Sequence, residues 1–293
     1  NRSEHLPFKN CHIREIEILS KKNPIINAIS PSYLGSFIDF NKEAFVLIQE
    51  MIDSDWTVSQ ILNLENWSLP LQENVIKNMS QLHVRFLNQE EQIKELCSTV
   101  IQMGSVHKID EQMDLWDSLF TIQYSKLKTS YVHLFKLYEE SLENFEEVLA
   151  SINSLDQSLI HYDLNPRNIA FNSNQDVKVF DWEFAAIGLP QRDLVELVLF
   201  SCFKNNVVQN MNHLSRIHFD NIYRNRNYDS HQLKIKKEEW EKGMILSLQE
   251  IVVKRLPFYF ILSELSFCPY IDRLLENIQE VIISWNFKND QIL

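Results

Sequence analysis

Hydrophobic and polar positions follow two rhythms along this chain, and the change from one to the other divides it. Residues 10–20, Asn-Cys-His-Ile-Arg-Glu-Ile-Glu-Ile-Leu-Ser, read as a short amphipathic helix. Two runs rich in Phe, Val, Ile and Leu follow at 32–40 and 44–52, joined by a turn at Asn41-Lys42, and together they predict a β-hairpin. Past Ile52 the spacing becomes helical. Ser68-Leu-Pro-Leu supplies an N-cap and an early proline, and Leu71, Val75, Met79, Leu82 and Phe86 recur every three or four residues. Stretches 91–103, 111–128 and 130–152 repeat the pattern. Short strands are expected at 159–162, 169–171 and 177–180, the last two forming a second hairpin across the turn Asn172-Ser-Asn-Gln175. From Asp193 to the end the pattern is helical, broken by a polar loop at 221–230. No internal repeat or low-complexity tract appears.

Composition narrows the function. The 293 residues are 45% hydrophobic, enough for one large or two modest cores. Forty acidic residues against 28 basic ones give a formal charge of −12, which argues against DNA or RNA as the main partner, since a phosphate backbone needs clustered Lys and Arg. Cys11, Cys97, Cys202 and Cys268 lie far apart without zinc or disulfide spacing and read as reduced thiols. No apolar stretch approaches the length of a membrane span and no signal-peptide core opens the chain, so the expectation is a cytoplasmic protein without a membrane partner. The sequence starts at Asn1 rather than Met, which reads as a fragment, a processed product or a chain lacking its first residues.

Chemistry concentrates in one segment. His161-Tyr-Asp163-Leu-Asn-Pro-Arg167-Asn168 is followed, after the second hairpin, by Phe180-Asp181-Trp-Glu183. An Asp on a loop between strands, an Asn five residues on and a second Asp beyond the next strand could converge on one pocket. Phosphoryl transfer needs such a set: a carboxylate to orient and accept the proton of an attacking hydroxyl, and hard oxygen ligands to hold Mg²⁺ against nucleotide phosphates. Asp163 would be the base, and Asn168 and Asp181 the metal ligands. Taken singly, Asp163 and Asn168 are ordinary turn residues, Asp181 ends a strand and Asp193 is a helix cap. Taken in order they favour the chemical reading. Only four glycines occur (Gly35, Gly104, Gly188, Gly243), so no Gly-rich phosphate loop is present in these residues.

The pattern H-x-D-x-x-x-x-N, then D-W-E, then Gly188-Leu-Pro-Gln-Arg-Asp193-Leu resembles the aminoglycoside phosphotransferase and choline kinase-like family, whose core is shared with protein kinases. The resemblance implies an α+β, two-lobed protein-kinase-like fold with an incomplete small N-terminal lobe and a large, mainly helical C-terminal lobe. Residues 1–52 would be the partial small lobe, with a hinge at about 50–53. Residues 53–293 would form the helical lobe, with a catalytic loop at 161–168 and a metal-binding segment at 180–183. The likeness makes Asp163 the catalytic base and assigns His161 and Arg167 to the catalytic loop, His161 shaping it. Asn168 and Asp181 become magnesium ligands, Asp193 anchors the loop, and Glu183 occupies an acidic position frequent in the family. Glu15 resembles the helix Glu that pairs with an ATP-binding Lys, while Glu50, Met51 and Ile52 resemble the hinge whose backbone meets the adenine edge. His83 matches the family's Leu-His near a helix end and reads as packing.

The implied function is transfer of the γ-phosphate of ATP or GTP, with Mg²⁺, to a hydroxyl of a small molecule or peptide. Glu139, Glu140, Glu143, Glu146 and Glu147, with Trp116, Tyr131, Tyr138 and Phe145, suit a cationic alcohol of aminoglycoside or choline type, although a Glu-rich helix is also an ordinary solvated face. One departure stands out: the strands, covering loop and ATP-binding Lys that the family places before Glu15 do not fit in the residues present. Either they precede Asn1 in the natural protein, the expectation favoured here because the base and metal set survives, or the chain is a pseudokinase or a peptide-binding or peptide-modifying kinase-like subunit. Oligomeric state is not legible.

Overall fold

A computed structural model describes residues 10–58, 64–105, 118, 121–122, 129–224, 226–264 and 268–285. The first helix, Cys11–Ser20, buries Ile13, Ile16, Ile18 and Leu19 together with Arg14. A short helix, Pro24–Ile29, follows, started by Pro24 and by the Asn23 side chain, which accepts the Ile25 N–H at 3.1 Å. The expected hairpin forms from β1 (Tyr33–Asp39) and β2 (Ala44–Gln49), antiparallel, with Asp39 Oδ1 accepting the N–H groups of Asn41 and Lys42 at 3.0 and 3.2 Å to close the turn. It is two strands wide and leaves Leu34, Phe37, Val46 and Ile48 exposed. The second strand stops at Gln49, short of the predicted Ile52, although Glu50 N–H still reaches Ser32 O at 2.8 Å.

Further along the chain, β3 (Trp56–Val58), which the sequence reading missed, pairs with β6 (Ile169–Asn172), and β6 pairs with β7 (Val177–Val179), the predicted second hairpin. The helix Leu69–Phe86 starts as expected, Ser68 Oγ accepting the Leu71 N–H at 3.4 Å. The helix predicted over 91–103 ends at Leu96 instead (Glu90–Leu96), because Ile101 and Gln102 form β4, parallel to β8 (Ala186–Gly188). The prediction at 111–128 falls almost wholly outside the described residues. The single helix expected over 130–152 is two, Val132–Glu143 and Phe145–Ser154, broken at Asn144. Strand β5 (Ser158–Ile160) completes a sheet of order β4-β8-β5.

The rest is helical: Gln191–Ser201, Val207–Phe219, Ser230–Glu250, Leu256–Glu264 and Ile271–Ser284. The polar stretch 221–230 is less of a loop than predicted. A π-helical turn, Asp220–Arg224, prolongs the preceding helix, and a capping box of Asp229 and Gln232 starts the next one. A second π-helical turn, Ile251–Arg255, joins Ser230–Glu250 to Leu256–Glu264. The main core spreads from Ile18 to Ile282. A smaller one around Met103, Phe145, Ile160, Tyr162, Leu189 and Val253 lies directly under the loop at 161–168. Every residue of Gln191–Ser201 is buried, which makes that helix the central post of the larger part.

Candidate active site

The loop after β5 is shaped by one buried carboxylate. Asp193, in the first turn of the central helix, accepts the backbone N–H of His161 at 2.8 Å through one oxygen and that of Tyr162 at 2.8 Å through the other. Those donors are thereby taken from the sheet, so the strand predicted to Tyr162 ends at Ile160, and Tyr162 turns the chain with φ 63°. His83 is more than packing. Its Nε2 lies 3.2 Å from Asp193 and its Nδ1 2.8 Å from His218 Nε2. A carboxylate acceptor fixes the proton on His83 Nε2, so His218 Nε2–H is the donor in the second bond. Burial alone pushes the Asp193 carboxyl up, but the His83 hydrogen bond, the neighbouring His charges and the His161 N–H outweigh it and hold it below the usual range. Burial keeps His218 and His161 neutral, lowering both.

Asp163 sits beyond this turn, 7% exposed. Asn168 Nδ2 donates at 2.8 Å both to the Asp163 carbonyl and to its carboxylate Oδ2, and Asn165 Nδ2 donates to the same carbonyl at 3.1 Å. Asn165 Oδ1 also accepts the Arg167 N–H at 3.1 Å, capping the one-turn 3₁₀ helix Pro166–Asn168. Phe180 N–H then reaches Asn168 O at 3.0 Å, and His161 Nε2 donates to Phe180 O at 3.0 Å. These bonds clamp the end of β7 to the loop and deliver Asp181, itself left-handed at φ 68°, to the same place. Asp181 is pushed up to about 7, first by burial and then by the carboxylates of Glu183, Glu15 and Asp163, with Arg167 opposing.

Asp163, Asn168, Asp181, Arg167, Glu15 and Glu183 therefore share one anionic focus, and His161 and Asp193 support it from beneath. Two expectations change in detail. Glu15 has no lysine partner among the described residues; it accepts the Trp182 N–H at 3.2 Å, and burial followed by the charge of Glu183 raises its carboxyl. Where a hinge was expected, the Glu50 N–H is already used by Ser32 O. The Glu50 carboxylate holds Lys178 at 2.5 Å and Ser32 Oγ at 2.9 Å, which lowers it to about 2 and ties Glu50 to β7. Met51 is 79% exposed. Among the described residues the acid-aromatic cage suggested for the acceptor does not form: Tyr138 and Phe145 turn into the core, Glu139, Glu143, Glu146 and Glu147 face solvent, and Trp116 lies outside the described residues.

Sequence reading also missed a set of groups below the loop, among them Arg192, Glu196, Glu250 and Arg255. Glu250 and Arg255 lie about ninety residues from the loop, and no local pattern marks them.

Among the described residues no three His, Cys, Asp or Glu side chains gather as a metal cluster. The donor set nevertheless suits a hard divalent cation. Asn168 commits only its amide N–H groups, leaving Oδ1 without a hydrogen-bond partner among the described residues, and Asp181 is a carboxylate in a crowd of carboxylates that a cation would relieve.

Residues 80–220 match the model of a phosphotransferase enzyme family. The fold matches a choline kinase from Cryptosporidium parvum (15% identity, all of this chain and 86% of that one, TM-score 0.58). It also matches the GDP complex of wild-type aminoglycoside 2'-phosphotransferase-IIIa (16%, 96% and 85%, 0.52) and the choline kinase LicA from Streptococcus pneumoniae (13%, 96% and 82%, 0.51). No curated protein matches the sequence. No helix among the described residues is long and apolar enough to cross a membrane.

Proposed function

We propose, for a chain whose residues 80–220 match the model of a phosphotransferase enzyme family and that has the protein-kinase-like fold, that Asp163 is the base of phosphoryl transfer from a nucleoside triphosphate to a small-molecule hydroxyl. The observation that carries the reading is the doubly bonded Asn168. One side chain bonds both the carbonyl and the carboxylate of Asp163 through its NH₂ group and leaves its own oxygen without a hydrogen-bond partner among the described residues, so the bonds that fix the base also free an oxygen ligand for a metal.

The hydroxyl oxygen bonds to the γ-phosphorus as the bond from that phosphorus to the bridging oxygen breaks; the nucleoside diphosphate leaves and the hydroxyl proton passes to Asp163. In a loose transition state positioning and charge neutralisation lower most of the barrier, so Asp163 needs no raised basicity. Mg²⁺ held by Asn168 Oδ1 and the Asp181 carboxylate would supply charge neutralisation at the phosphate oxygens. Arg167, whose Nε is held by Asn165 Oδ1 at 3.2 Å, brings a cation beside Asp163 for the transferring group. ATP or GTP is the donor, and the hinge at Glu50, Met51 and Ile52 is the proposed seat of its base.

Asp163→Asn tests this. The variant should lose turnover by at least about 10³-fold while Mg-nucleotide binding, measured by calorimetry, stays within about threefold. The acceptor screen should include choline, ethanolamine, aminoglycosides and uncharged polyols. Retained turnover in the Asn variant sinks the assignment.

A further inference from the structure

We propose that Tyr162, Glu250 and Arg255 form a positioning clamp that sets Asp163 for turnover, and that the π-helical turn Ile251–Arg255 exists to complete it; the inference rests on Asp163 being the base. Tyr162 directly precedes Asp163, and each of its polar atoms is engaged. Its N–H goes to Asp193 at 2.8 Å, its C=O accepts Arg255 Nη2 at 2.6 Å, and its hydroxyl donates to Glu250 Oε1. The guanidinium groups of Arg192 and Arg255 each lie over its ring, 5.0 Å from the centroid, and Arg255 also covers Phe184 at 4.8 Å. Glu250 is fixed in turn by Arg192 Nε at 2.7 Å, and Arg192 Nη1 reaches Glu196 at 2.8 Å.

So many contacts on one residue need a reason, and Tyr162 supplies it. It is a bulky non-glycine residue at φ 63°, a strained conformation that persists only when its surroundings over-determine it. If Tyr162 relaxed, the Asp163 carboxylate would swing with it.

The helix geometry points the same way. Glu250 and Arg255 are five residues apart. At 3.6 residues per turn they would project about 140° apart, and only one could face Tyr162. The wider i→i+5 repeat of a π turn brings residues five apart onto one face. Here the π turn begins at Ile251, immediately after Glu250, and ends at Arg255. One helix thus grips both the hydroxyl and the carbonyl of the same tyrosine.

The test uses the full chain with Mg·ATP and the acceptor found active in the screen, alongside deuterium uptake of the peptide covering 161–168. Arg255→Met should lower kcat by about 10²-fold, the loss expected for a misplacement of about 1 Å, with the nucleotide KM unchanged and faster uptake in that peptide. Arg255→Lys, which keeps a donor for the carbonyl, should recover part of the loss, and Tyr162→Phe, which removes only the hydroxyl, should lower kcat less. A folded Arg255→Met with wild-type kcat and uptake overturns the clamp. Should Arg255→Met fail to fold, wild-type kcat and uptake in both Arg255→Lys and Tyr162→Phe overturn it equally. Retained turnover in Asp163→Asn would defeat the base assignment instead, and uptake in the Arg255 variants would still decide whether the loop is held as described.

Discussion

Replacing Asp193 removes the floor of the loop at 161–168, and the cost can be worked from its bonds. Asp193→Ala leaves the N–H groups of His161 and Tyr162 buried without an acceptor and deprives His83 Nε2–H of its partner. Each orphaned buried donor costs about 1–3 kcal/mol, so the three together give about 3–6 kcal/mol once the relief of burying one charge fewer is set against them. That is a large part of the roughly 5–15 kcal/mol that holds a domain folded. Asp193→Asn keeps one acceptor oxygen but turns an NH₂ towards a donor, and should lose about 2–3 kcal/mol. Urea unfolding at neutral pH, followed by far-ultraviolet circular dichroism and tryptophan fluorescence, reads both values, with an unchanged m showing that the denatured state is the same. A loss below about 1 kcal/mol for the Ala variant would refute the idea that these bonds define the loop.

Two further outcomes follow from the same geometry. His218 is neutral and buried, its folded pKa well below the unfolded value of about 6.5. As pH falls below 6.5 the unfolded chain therefore takes up a proton that the folded chain refuses, and stability drops by up to about 1.4 kcal/mol per unit; above 6.5 this contribution is fully present. Asp181 and Glu196, both raised to about 7, act in the opposite sense, so the measurement is the difference between wild type and His218→Phe, in which they cancel. Parallel pH profiles for the two proteins would contradict the assignment. Gly188→Ala places a methyl 2.7 Å from Ile160 Cδ1 and 2.8 Å from Met103 Cβ, between two strands that have nowhere to retreat. It should destabilise by about 1–3 kcal/mol in the same urea titration, and a neutral effect would mean that β8 can shift.

The residues proposed for phosphoryl transfer stand out because they are close in sequence and chemically unusual together: Asp163, Asn168 and Asp181 lie within nineteen positions, separated by a turn and short strands whose signals are local. The long helices were legible from spacing. What escaped depends on distant partners. Strands β3, β4 and β8 are two or three residues long and exist only because partners lie beside them, β6 beside β3, β8 beside β4 and β5 beside β8. Residues 97–102 look helical in sequence, yet the parallel pairing of Ile101 and Gln102 with β8 overrides that preference. The pairing of His83 with Asp193 spans 110 positions and that of Tyr162 with Glu250 spans 88, so neither leaves a periodic trace. The Glu-rich helices misled for the opposite reason, since their acids serve solubility on an outer face while the aromatics between them fill the core.

The wholly buried helix Gln191–Ser201 gives the loop its floor, and this links the working life of the enzyme to that of its interior. A site carried on a surface flap can fray while the protein survives. Here the proposed base is hung from a residue that only wholesale opening of the hydrophobic interior would release. On warming, catalytic competence and ellipticity should disappear at one common midpoint, with no dormant yet folded form in between.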